Sequence, residues 1–157
     1  MAGRKRKSTK RSAASSRQPE PTLFLDRSLG RYVVAERLRA AGARVEIHDD
    51  HFPQDAPDEE WLAAVGRKGW AVLTKDAHIR YRHNELSAAV GNGVRLFVLG
   101  KGQLTGEEIA GAFVTALPAI RTLLGKEQGT FIVRVSAQGR LTKPLFPGAP
   151  RESESNH

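Results

Sequence analysis

Cysteine is absent from the 157 residues. That excludes disulfides, thiolate nucleophiles and Cys-based zinc sites together, and it fits a reducing cytoplasm, the expected compartment. No apolar run approaches the ~18 residues of a membrane span, so no membrane partner is expected. The N-terminus lacks the apolar core of a signal peptide, which argues against secretion. No G-x-S-x-G surrounds Ser28, and no His–Asp pair can be assigned to it, so a serine nucleophile is not supported. The glycines of "VGNGVRLFVLGKG" lack the strand, G-x-G-x-x-G, helix order of a dinucleotide loop.

What is present is strongly basic, but unevenly so. The net charge is +8. Residues 1–20 hold seven Lys/Arg against one acid, Glu20, so most of the excess lies there. A stretch rich in Ser, Ala and Lys/Arg with no core-forming residues is expected to be a disordered tail. It reads as loose attraction to nucleic-acid phosphate, or as a solubilising extension; "GRKRK" can also be read as an import signal. The expected organisation is a basic tail over 1–20, one domain over 21–146 and a frayed C-terminal tail over 147–157.

Between the tails, strand and helix patterns alternate. "TLFLD", "ARVEIHD", "WAVLT", "VRLFVLG" and "TFIVRV" read as strands, and "RLTKPL" as a segment that extends or pairs with the last. Helices are expected over "SLGRYVVAERLRAAG" (Val34, Leu38 and Ala41 on one face), "DEEWLAAVGRKG" (Trp61, Leu62 and Val65 inward), "HNELSAAVG" and "TGEEIAGAFVTALPAIRTLLG". In the last, Ile109, Phe113, Leu117, Ile120 and Leu124 repeat at helical spacing, and Pro118 should kink it. The alternation predicts an α/β fold with a mainly parallel central sheet of about five strands flanked by helices.

In such a sheet, sites form outside the carboxyl ends of the strands. Asp26 ends the first expected strand and Asp76 follows the third. Asp58, beside Glu59 and Glu60, opens the intervening helix at that same edge. Three chain segments thus deliver acids to one place. Clustered carboxylates repel unless a cation sits among them, and hard oxygen donors suit Mg²⁺ or Mn²⁺. Each acid also has an ordinary reading: Asp58 as a helix N-cap, Asp26 as a cap in competition with Ser28, and Asp76 as a turn residue or a partner of Arg80.

Thr74, which shares a face with Asp76 if the strand runs that far, is either a β-branched strand filler or a hydroxyl that orients the Asp76 carboxylate or a metal-bound water. Lys75, Arg80 and Arg82 follow the strand, Arg67 and Lys68 precede it, and Arg27 and Arg31 flank Asp26; all are candidate phosphate contacts. His78 and His83 read as phosphate or water contacts, or as surface residues. His48-Asp49-Asp50-His51 is a weaker candidate metal site on a strand exit. A phosphoacceptor receiver would need paired acids after the first strand, whereas Asp49-Asp50 follow the second.

"FLDRSLGRYVVAERLRAAG", "HFPQDAPDEEWL" and "GWAVLTKDAHIRYRHNEL", in this order, resemble the PIN-like domains grouped with the VapC-type toxin ribonucleases. The resemblance spans about residues 22–135. It implies an open parallel sheet and a Mg²⁺- or Mn²⁺-dependent nuclease acting on RNA. It places the metal-binding acids at Asp26, at Asp58 with Glu59 as competitor, and at Asp76. Many such nucleases carry a fourth acid soon after the third; here the next is Glu85, on an expected helix, and the basic tail lies outside the resemblance.

The leading expectation is an endoribonuclease, a toxin of a toxin–antitoxin pair or an RNA-turnover enzyme, in which metal-activated water hydrolyses the phosphodiester. RNA, an antitoxin protein and a homodimer are the partners the resemblance implies. The alternative is a catalytically weak PIN-like module that binds RNA or protein.

Overall fold

A computed structural model describes residues 20–30, 32–75, 91–100 and 102–144. Residues 1–19 of the expected basic tail (1–20), the "HNELSAAVG" helix up to residue 90, the tail from 147, and Arg31, Asp76, His78, Arg80, Arg82, His83 and Glu85 lie outside these residues.

Five short apolar segments form the strands: β1 (Thr22–Leu25), β2 (Arg44–Ile47), β3 (Ala71–Thr74), β4 (Arg95–Leu99) and β5 (Phe131–Val135). They make one sheet in the order β2-β1-β3-β4-β5, and every pair in it is parallel. The described helices are α1 (Val33–Ala40), α2 (Asp58–Lys68) and α3 (Gly106–Lys126), with 3₁₀ turns at Arg27–Leu29 and His48–Asp50. The fold is α/β with a parallel five-stranded sheet, as the alternation predicted. "RLTKPL" does pair with β5, through an antiparallel bridge between Val135 and Leu141.

Because successive strand residues point to opposite faces, each strand feeds two cores. Leu23 and Leu25, Leu73, Phe97 and Leu99, and Phe131 and Val133 join α1 and α3 on one face. Phe24, Val72, Leu96, Val98 and Ile132 meet Trp61, Leu62 and Val65 of α2 on the other. Burial on both sides favours apolar residues, and β3 is wholly buried, with Thr74 at its carboxyl end as its polar member. All five residues of the expected α3 stripe are buried. The helix continues through Pro118, and Thr105 caps it reciprocally with Glu108. Contrary to the expectation of no membrane-length apolar segment, α3 is long and apolar enough to span a membrane by length and composition, but its apolar stripe packs into the sheet core.

Three expectations need correction. The first long helix starts at Val33, not at Ser28, because Gly30 takes φ 79°, a left-handed conformation that breaks the chain into a 3₁₀ turn and a separate helix. Ala41 is exposed at the end of α1, and Ala43 takes the buried position. The second strand ends at Ile47, so His48–Asp50 form a 3₁₀ turn instead of a strand exit.

Candidate active site at the carboxyl edge

The strand order reverses between β1 and β3: β2 lies outside β1, whereas β4 and β5 lie beyond β3. A crevice opens at such a switch point, above the carboxyl ends of the two strands. Asp26 follows β1 there, and its backbone N–H donates to the Leu73 carbonyl at 3.2 Å, extending the ladder by one residue. By continued alternation, Asp26 and Thr74 share the α2 side of the sheet with Phe24 and Val72.

Asp26 is buried, 5% exposed. Its Oδ2 accepts from Thr74 Oγ1 at 2.6 Å. Its Oδ1 accepts from Ser28 Oγ at 2.5 Å and from Ser28 N at 2.9 Å. Hydroxyl-to-oxygen distances this short are those of O–H donors to a charged carboxylate. Each hydroxyl proton is therefore committed to Asp26, and the 3.2 Å approach of Ser28 Oγ to Thr74 Oγ1 follows from their shared acceptor. Ser28 Oγ also accepts from Lys75 N at 3.0 Å, which ties the segment after β3 to the turn after β1.

Asp58 is the first residue of α2; Pro57 is the cap residue, and no side chain caps this end. Asp58 Oδ1 accepts from Trp61 Nε1 at 2.8 Å and from Arg27 Nη2 at 3.1 Å. The acids Asp58, Glu59 and Glu60 in the first turn, and Arg67 and Lys68 in the last, complement the helix dipole. Arg27, expected as a phosphate contact, is divided between Asp58 and the Gln54 carbonyl. Ser28 was expected as a competing helix cap and rejected as a nucleophile, and Trp61 was expected as a core residue. They hold the two acids, and the D-x-S spacing of Asp26 and Ser28 was the legible signal for the first.

His48-Asp49-Asp50-His51 does not converge as a metal site. His51 pairs with Glu46 at 2.7 Å, whereas His48 is buried among Phe24, Phe52 and Trp61. Burial lowers the His48 pKa, Arg27 lowers it further, and Asp49 and Asp58 oppose the shift. Among the described residues, no group of three His, Cys, Asp or Glu is placed to hold a metal ion. The third acid of the expected set, Asp76, lies outside them. The donors that are described, the buried Asp26 and the part-buried Asp58, are hard oxygens of the kind Mg²⁺ and Mn²⁺ prefer.

The family model for a PIN-like domain matches residues 21–101. The protein named "Putative ribonuclease VapC45" from Mycobacterium tuberculosis (strain ATCC 25618 / H37Rv) is 33% identical over 102 residues, covering 62% of this chain and 74% of that protein. No solved structure matches the chain.

Proposed function

The chain belongs to the PIN-like domain family, and from that premise we propose that it is a metal-dependent endoribonuclease, a toxin-type PIN nuclease that hydrolyses RNA phosphodiesters. The observation that carries this reading is the buried Asp26 carboxylate, fixed by Thr74 and Ser28 at the switch point of the sheet. Asp26, Asp58 and Asp76 are the residues that hold Mg²⁺ or Mn²⁺, with Glu59 next to Asp58. Held by those acids, such an ion would supply the Lewis-acid chemistry that phosphodiester hydrolysis needs.

The chain's own work is positioning. Thr74 and Ser28 fix Asp26, and Trp61 fixes Asp58. Lys75, Arg80 and Arg82 neutralise the phosphate; Arg27 joins them only by leaving Asp58. By the same reading the partners are RNA, an antitoxin protein and a second copy of the chain, and the setting is the cytoplasm.

The test is incubation of the purified protein with single-stranded RNA and Mn²⁺. Cleavage is expected, and Asp26→Asn and Asp76→Asn each should abolish it while RNA binding persists. A protein that binds RNA but cuts it under no divalent metal would be a binding module instead.

A further inference from the structure

We propose that a second cleft, at the amino-terminal edge of the sheet, binds single-stranded RNA away from the acid edge, holding its phosphates at Arg44 and Lys68. The proposal takes only its ligand class from the ribonuclease reading. The cleft has a volume of about 540 Å³ and lies where β1, β2 and β4 begin and α2 and α3 end. At about 3.3 Å per residue, the length of β1 separates it from Asp26 by roughly 13 Å.

Four cations line this cleft (Arg44, Lys68, Arg95 and Arg121), against one carboxylate, Glu20. Two of them have identifiable structural work. Arg95 donates to the carbonyls of Gly69 at 3.1 Å, Glu127 at 3.3 Å and Leu124 at 3.4 Å, so it answers the negative ends of both helices. Arg121 Nε pairs with Glu20 at 2.8 Å. Arg44 and Lys68 are in excess. Both are exposed, and neither has a carboxylate partner among the described residues. The Lys68 ammonium instead sits 5.2 Å over the ring of Trp70.

Uncompensated cations gathered in a cleft attract a polyanion. Trp70 decides which one. It is part-buried, lines the same cleft and offers a ring on which a base can stack when Lys68 turns to a phosphate. Cationic grooves with an aromatic wall are the recurring solution for single strands, whereas an acidic peptide has no use for the ring. The chain also enters the cleft at Glu20, directly after the segment with seven Lys/Arg, so the positive charge continues along the chain.

Fluorescence anisotropy of a labelled single-stranded oligouridylate, with EDTA present to prevent cleavage, tests the proposal on the full chain. Arg44→Gln/Lys68→Gln should raise Kd about tenfold at low salt, and should reduce the slope of log K against log salt by about 1.4, two phosphate contacts at ~0.7 each. Arg44→Lys/Lys68→Arg should bind like the wild type. Wild-type affinity and slope in the double Gln variant would overturn the proposal. So would retained RNA binding with lost affinity for polyglutamate, which would identify an acidic-peptide surface. Failure of the wild type to cleave RNA would sink the nuclease reading and leave this binding result unaffected.

Discussion

Thr74 Oγ1 donates to Asp26 Oδ2 at 2.6 Å, and this bond joins the ends of two strands whose residues stand 48 apart in sequence. Thr74 is fully buried. Its hydroxyl therefore has no solvent alternative, and the carboxylate it meets is tied to one orientation. The acid edge is organised by this bond and by Ser28, which holds the other carboxylate oxygen.

Thr74→Val keeps the shape of the side chain and removes the donor. A hydrogen bond to a charged group contributes about 1.5–3 kcal/mol, and the valine variant should lose about that much stability in urea unfolding. Thr74→Ser should recover most of it. Equal stability of the valine variant and the wild type would show that the hydroxyl does not hold Asp26.

Trp61→Phe removes the donor to Asp58 Oδ1 while leaving an aromatic ring in the α2 core. Groups that orient metal ligands typically change metal affinity by about 10–100-fold. The Mn²⁺ concentration for half-maximal cleavage should rise about tenfold, and saturating Mn²⁺ should restore the rate. An unchanged Mn²⁺ requirement, in a variant that circular dichroism shows to be folded, would remove Trp61 from the site.

The pattern of apolar runs made the sheet legible, because strands buried on both faces have few other compositions open to them. Asp26, Asp58 and the end of β3 could be assigned to one edge for the same reason. The pairing of Thr74 with Asp26 was not legible, since it depends on β1 and β3 being neighbours, which strand order alone decides. Gly30 was misread because a glycine inside a helical pattern does not announce a positive φ. The opposite cleft was hidden for another reason: Arg44, Lys68 and Arg121 come from three distant segments and read singly as surface charge.

Gly66 lies inside α2, where alanine is favoured by about 1 kcal/mol. A Cβ there would fall 2.6 Å from the backbone oxygen of Asn92 and 2.9 Å from a Val94 methyl carbon. Backbone cannot yield cheaply, so the contact outweighs the propensity. Gly66→Ala should lower stability by about 1–3 kcal/mol, the usual cost of overpacking. A higher urea midpoint in the alanine variant would show that the loop before β4 moves aside freely.

His48 supplies the pH dependence. Its ring is 1% exposed, packed at 5.5–6.2 Å between centroids against Phe52, Trp61 and Phe24. Burial favours the neutral imidazole, and Arg27 adds to that, so the native pKa lies below the ordinary 6.5 despite Asp49 and Asp58 nearby. Between those two values the unfolded chain binds more protons than the native one, and stability must rise with pH there. The effect is absent above about 6.5 and grows as pH falls toward the lowered native value. His48→Phe keeps an aromatic ring and removes the titration. Urea midpoints measured from pH 7 downward should fall less steeply for His48→Phe than for the wild type. Parallel profiles would mean that His48 does not contribute the slope.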